Sequence, residues 1–234
     1  MTVAIMQPYL FPYIGYFQLI VAADTFVVYD DVAFIMRGWI NRNRILLNGT
    51  DHLFTIPLQG ASQNKLIREI ALCDTPPWRE KFLATLQMAY HAAPEFARCY
   101  PLIESIVRAA EHGLSAYITH SLTAIAGHLG IGTRIVPSSA VYGAGELKGQ
   151  ERILAICAAE KADRYVNPIG GTALYDPAAF AARGIELRFL RTREIVYRQF
   201  TEPFVPSLSI IDVLMFNPPE AVRGMLAQYD PVRS

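Results

Sequence analysis

The chain has little charge and no excess of either sign. Lys and Arg total 21, Asp and Glu total 21, and charged residues are 18% of 234, against about 25% in an average protein. Charge balance of this kind gives no electrostatic footprint for a nucleic acid as partner. Hydrophobic residues at 52% exclude an intrinsically disordered chain and fit an oligomer with a buried subunit interface. Cysteine is sparse. Cys73, Cys99 and Cys157 are odd in number and widely spaced, which excludes a disulfide framework and fits a reducing, cytoplasmic setting. Long apolar runs are missing too. The most apolar stretch, residues 14–23, contains Gln18 and falls well short of the roughly 20 residues a membrane-spanning helix needs. The opening MTVAIMQPYL has no basic start and is followed by Pro12 after Pro8, so no signal peptide is expected.

Familiar chemical signatures are also lacking. No GxxxxGK(S/T), GxGxxG, HExxH or GxSxG pattern occurs. His91, His112, His120 and His128 stand at no metal-ligand spacing, and no metal site is expected from them. The three cysteines have no neighbouring base arranged as in an activated thiol.

What is present is an alternation of strand and helix signals. Residues 2–6 form a short apolar run ending near Pro8, residues 14–23 have a helical length and composition, and residues 25–29 (TFVVY) are β-branched and aromatic. That order opens a parallel βαβ unit. A hairpin is expected around Asn48-Gly49, which supplies the positive φ angles of a type I′ turn. Helices fill residues 76–130, punctuated by Pro94, Gly113 and Gly130. Further strands are expected at 133–136, 164–166, 186–190 and 195–198, with helices at 149–161, 177–183, 209–216 and 219–229. The fold class is α/β, a Rossmann-like parallel sheet in a single domain over residues 1–234, with about 76–130 a helical insertion or subdomain.

Ligands on such sheets bind beyond the carboxyl ends of the strands. Four unusual segments follow predicted strands. Residues 7–17 read QPYLFPYIGYF. Two prolines stiffen the loop, and Gln7, Tyr9, Tyr13, Gly15 and Tyr16 are candidate substrate contacts beside a helix N-terminus that favours anions. Asp30 and Asp31 offer paired carboxylates for a general base, Mg²⁺ or sugar hydroxyls. In GWINRN, Trp39 is a candidate substrate contact, Arg42 a bidentate fork for phosphate or carboxylate, and Asn43 both donor and acceptor. Lys148 and Gln150 stand at a helix entrance, and Asn167, Gly170 and Gly171 (NPIGG) form a loop whose backbone N–H groups can line a ligand. The expected catalytic set is Asp30, Asp31, Arg42 and Lys148.

At QPYLFPYIGYFQL, YDDV, WINRN, LKGQERIL, NPIGG and SLSIIDVLMFN the chain resembles the WbqC-like family over nearly its whole length. Gln7, Pro8, Tyr9, Pro12, Gly15, Asp30, Asp31, Arg42, Asn43, Lys148, Gln150, Asn167, Gly170 and Gly171 match that family's motifs. The resemblance implies a link to bacterial surface-polysaccharide and O-antigen gene clusters and assigns no residue a role. A weaker resemblance is to HUP-type nucleotidyltransferases and ligases, whose HxGH motif has its counterpart in Tyr13-Ile14-Gly15-Tyr16. Both imidazoles are replaced by phenols, which carry no positive charge near neutral pH.

The function expected from this is a cytoplasmic transferase passing an aminoacyl or acyl group to a small-molecule sugar or nucleotide-sugar. One alternative is an ATP-using enzyme of HUP type, for which Mg²⁺ with a nucleotide is the cofactor. The other is a non-catalytic protein that binds a nucleotide-sugar or glycan.

Overall fold

A computed structural model describes residues 1–200 and 202–233. Five parallel strands and one antiparallel strand form its central sheet. The strands are β1 (Thr2–Met6), β2 (Thr25–Val28), β7 (Arg134–Val136), β8 (Arg164–Pro168), β9 (Glu186–Thr192) and the antiparallel β10 (Tyr229–Arg233). Their order across the sheet is β10-β9-β8-β1-β2-β7. Chain order therefore runs outward in one direction from β1 through β2 and β7, and in the other from β8 through β9 and β10. The reversal between β1 and β8 is the topological switch point of a doubly wound sheet.

Strand alternation sends side chains to two separate cores. Val3, Ile5, Val27, Tyr165, Leu187 and Phe189 face α5 (Gly149–Ala159) and α6 (Pro177–Ala181). Ala4, Phe26, Val28, Val166 and Leu190 face α1 (Ile14–Val21), α7 (Ile210–Phe216) and α8 (Pro219–Leu226). Strands buried on both faces explain the near-continuous apolar runs of β1 and β2.

Between β2 and β7 lies a long insertion. It contains the hairpin β3 (Arg42–Leu47) and β4 (Thr50–Thr55), the two-residue strands β5 (Leu58–Gln59) and β6 (Ala71–Leu72), and helices α2 (Trp78–Tyr90), α3 (Phe96–Val107) and α4 (Leu114–His128). Asn48 and Gly49 turn the hairpin at φ +52° and +77°, the left-handed angles that a type I′ turn requires. Helices α2–α4 pack into the same apolar cluster as α1 and α7.

Two expectations fail at the C-terminal end. Residues 195–198 form no strand. The alternation of Ile195 and Tyr197 imitates one, but the ladder partner is a side chain: the Gln199 amide donates to Val205 O at 3.1 Å and accepts from Val205 N at 2.9 Å. Conversely, residues 229–233 make β10, where the expected helix ended at Tyr229 and no strand was foreseen beyond it. Pro231 hid that strand, because proline fits a sheet only where its missing N–H faces outward, at an edge.

The strap of residues 193–200 and 202–208 is held by a buried carboxylate on α7. Asp212 accepts hydrogen bonds from Tyr90 Oη at 2.8 Å, Tyr197 Oη at 2.6 Å and Gln199 Nε2 at 2.9 Å. Burial raises its pKa above 3.8, against the opposing pull of these three donors. A raised folded-state pKa adds stability that is complete below the unfolded value and is lost as pH rises through the folded one. Relative to Asp212→Asn, the wild-type chain is therefore expected to gain stability between pH 7 and about 4, read from urea unfolding midpoints at each pH. A difference that stays constant with pH refutes this account.

Candidate functional site

The loop leaving β1 is fixed from three directions. Leu10 N donates to Ile40 O at 3.0 Å and Ile210 N to Pro12 O at 2.8 Å. Phe11 O accepts from Asn43 Nδ2 at 2.6 Å and from Ser209 Oγ at 2.7 Å. Tyr16 Oη closes the base by donating to Gln7 O at 2.8 Å. These bonds hold Phe11 at φ +42°, an uncommon angle for a bulky residue that persists only when its surroundings enforce it. With the backbone saturated, the rings of Tyr9 and Tyr13 are turned to the surface.

Those rings wall a cavity of about 370 Å³. Met6, at the end of β1, and Pro168, at the end of β8, form its base, and Trp39 and Ile35 its far side. It therefore sits at the switch point, where doubly wound sheets bind ligands. A second lobe of about 260 Å³ shares Tyr9, Tyr13 and Trp39 and adds Asn43, Arg44 and Ser207. Trp39 is 44% exposed. The guanidinium carbons of Arg42 and Arg44 lie 5.4 and 5.3 Å from its ring centre, within cation–π range. Arg44 also pairs with Asp51 at 3.3 Å. Arg42 lines neither lobe; it donates to Arg37 O, and among the described residues its buried Nε has no partner. Among the described residues the hydroxyls of Tyr9 and Tyr13 have no hydrogen-bond partner. Burial raises both pKa values, Arg44 and Arg42 opposing this at Tyr9. Both phenols stay protonated at neutral pH, and each keeps an O–H free to donate.

Asp30 and Asp31 lie elsewhere. Asp30 accepts from Ser115 Oγ at 2.7 Å, Ser138 Oγ at 2.6 Å and Ser139 N at 3.2 Å. Asp31 pairs with Arg152 of α5 and accepts from Ser139 Oγ. All are buried but Ser138. The two carboxylates join β2 to α4, α5 and the segment after β7, and neither lines the two lobes. A general base needs a lone pair facing substrate; the lone pairs here face their own protein.

The expected glycine contact at position 15 has a different cause. A Cβ there would stand 2.3 Å from the Tyr13 ring and 2.6 Å from Thr192 Oγ1, so the space belongs to the chain itself. Asn167 donates to Tyr165 Oη at 2.8 Å and fills the place of a Gly171 side chain, 2.1 Å from where its Cβ would be. Gln150 accepts from Asp176 N at 2.5 Å. Lys148 precedes α5, exposed, and Gly170 faces open space. These five residues share the carboxyl edge of the sheet with the cleft without lining it, and no contact joins Lys148 to Arg42. The segments come together in part: residues 7–16 with Trp39, Asn43 and Pro168. Arg44 and Ser207 were missed. The alternation of β3 places Arg44 on the same face as Arg42, a signal the sequence carried; Ser207 arrives from the strap and left none. Burial pushes the thiol of Cys99 up to about 11 and that of Cys157 up to about 12, so neither supplies a thiolate at neutral pH.

The model of the WbqC-like protein family matches residues 7–224, and the chain belongs to that family. A protein of Mycobacterium tuberculosis, itself described as uncharacterized, is 33% identical over 220 residues, covering 92% of this chain and 93% of its own. No solved structure matches the chain.

Two substitutions test this anatomy by chemical denaturation. Gly15→Ala is expected to cost about 1–3 kcal/mol, the range for overpacking, because backbone and ring must part. Arg152→Met leaves Asp31 buried without its cation and is expected to cost about 3–5 kcal/mol. Wild-type stability in either variant contradicts the packing described.

Proposed function

We propose that this member of the WbqC-like family binds a sugar or nucleotide-sugar in the two-lobed cleft and transfers an acyl or aminoacyl group to it. In this reading the reaction belongs to the building of a bacterial surface polysaccharide, on the cytoplasmic side; membership of the WbqC-like family is in keeping with it. The observation that carries the reading is the combination at Trp39. Two exposed-edge aromatic rings, Tyr9 and Trp39, stand 6.4 Å apart, with Arg42 and Arg44 against the indole. Rings stack on a sugar or base, and guanidinium forks meet phosphate or carboxylate. Tyr9 and Tyr13 donate to ring oxygens or to an acyl carbonyl.

The lining also bears on the acceptor. Among the described residues neither lobe presents a carboxylate or an imidazole. An amino sugar suits such a site, because the free-base form of its amine attacks an acyl thioester without a base from the protein: the C–N bond forms, the C–S bond breaks, and the departing thiolate takes the amine's proton. That same lining favours a second reading, a binding protein that turns nothing over. No helix of the described chain is long and apolar enough to cross a membrane.

A thermal-shift panel of nucleotide-sugars, acyl-CoA and ATP–Mg²⁺ is the test. A nucleotide-sugar at about 100 times its Kd is expected to stabilise the fold by about 2.7 kcal/mol. Trp39→Ala should abolish that shift, and Arg42→Ala and Arg44→Ala should each weaken binding by about 1.5–3 kcal/mol. The double variant should lose less than the sum, since both cations serve one anionic group. Stabilisation by ATP–Mg²⁺ alone, with release of pyrophosphate, would replace this reading with a HUP-type one. Binding without turnover in the presence of an acyl donor would leave only the binding protein.

A further inference from the structure

A groove of about 510 Å³ lies between β4 and α2, away from the switch point. Six consecutive residues, 52–57, line one side of it. Side chains alternate between the faces of a strand, so a cavity on one face would be lined by every second residue. Six in a row mean that the groove follows the strand's edge. The opposite wall is one helical face: Trp78, Lys81, Phe82 and Thr85, at the spacing i, i+3, i+4, i+7.

That edge is open. Among the described residues, β4 pairs with β3 alone. A two-residue turn makes Leu47 and Thr50 a hydrogen-bonded pair, and bonded and non-bonded pairs alternate from there. The bond from Ile56 N to Asn41 O, 2.8 Å, fixes the same parity at the far end. The backbone N–H and C=O of Leu53 and Thr55 therefore point away from β3. The outer edge of β3 is, by contrast, engaged at its centre: Arg44 N donates to Asn43 Oδ1 at 2.8 Å, Leu46 N to Tyr90 Oη at 2.9 Å, and Ser209 N to Arg44 O at 2.9 Å. The main sheet blunts its edges as well, with three residues in β7 and Pro231 in β10. β4 has six residues, TDHLFT, without proline or lysine.

The floor of the groove is apolar. Phe54 and Phe82 have ring centres 4.6 Å apart, and Trp78 is buried beside them. The rim carries one cation. Lys81 is exposed and, among the described residues, forms no ion pair; His52 adds an exposed imidazole that can donate a hydrogen bond.

We propose that the β4 edge docks an extended acidic segment of another polypeptide. The segment adds as a strand to Leu53 and Thr55, with alternate apolar side chains toward Phe54 and Trp78 and its carboxylates beside Lys81 and His52. About five residues at roughly 3.3 Å each span the open stretch.

The test is amide exchange by NMR on the full ¹⁵N-labelled chain, with a blocked hexapeptide of alternating valine and glutamate as probe. Main-chain bonds carry affinity in strand addition, so a generic acidic strand is expected to bind. Exchange at Leu53 and Thr55 should slow about tenfold or more, while Phe54, already bonded to β3, changes little. The same peptide N-methylated at alternate residues should lose the effect, and Lys81→Glu should weaken it. Leu53→Pro removes one outward N–H at a position where an open edge tolerates proline, and should abolish binding. Where that variant fails to fold, the N-methylated peptide is the deciding control. The proposal is overturned if the hexapeptide leaves Leu53 and Thr55 exchange unchanged, or if Leu53 is already protected in the free chain. Protection that appears with protein concentration would instead assign the edge to a second copy, and equal binding of a valine–lysine peptide would remove the acidic requirement.

Discussion

The carbonyl of Phe11 is where the molecule is tied together. It accepts from Asn43 in the hairpin and Ser209 at the start of α7, so three segments far apart in sequence meet on one oxygen. Ser209 also caps α7 through Ile211 N at 3.2 Å, and its own N–H donates to Arg44 O. Without that junction nothing holds Phe11 at a positive φ, and the loop between Leu10 and Tyr13 would relax toward the ordinary extended region. The positions of Tyr9 and Tyr13, of Arg44 on β3, and of Ser207 beside α7 all depend on it. Asn43 was read as a substrate contact because it offers donor and acceptor together. Both are used inside the chain, the acceptor going to Arg44 N, and the residue lines the second lobe with what is left.

A second junction forms the other flank. Asp30 and Asp31 gather two serines after β7, one at the start of α4 and an arginine of α5. A buried ion pair adds little net stability beside an apolar replacement of the same shape, since desolvation offsets much of the attraction. Its effect is to make one arrangement of these four elements far better than any other, because any displacement leaves a charge uncompensated. Tyr29 adds to this by lying 5.3 Å beneath the Arg152 guanidinium.

How much of this could be read from residues alone divides along physical lines. β1, α1, β2, the hairpin and α5 were legible because their signals are local: apolar period, Asn-Gly, a glycine at a helix entrance. The parallel sheet followed from their order. β10 was illegible because Pro231 argues against a strand unless its edge position is known, and residues 195–198 misled because alternation says nothing about whether the partner is backbone or the Gln199 amide. The site was legible as a place and less so as a list. Residues 9, 13 and 39 do wall a cleft at the end of β1. Yet Gly15 and Gly171 serve the chain's own close packing, and Asp30 and Asp31 serve its internal bonding. A short polar motif after a strand reports that something approaches it; only the three-dimensional neighbours say whether that is a ligand or another part of the protein.

That distinction shapes the chemistry left to the cleft. Once the aspartates are committed inward, the aromatic and charged groups facing the two lobes are neutral phenols, an indole and the guanidinium of Arg44. Such a surface favours negative charge and flat or ring-shaped partners, and it cannot take up a proton at neutral pH, because burial keeps the phenols protonated and guanidinium groups do not titrate. It can stabilise an oxygen on which charge develops, since donors fixed in place need no reorganisation as that charge appears. A cleft of this composition assists reactions in which the nucleophile arrives uncharged and ready and the transition state gathers negative charge on a carbonyl or phosphoryl oxygen. Acyl transfer to an amine is of that kind. Hydrolysis, in which the attacking water hands its proton to a base, is less suited to such a lining.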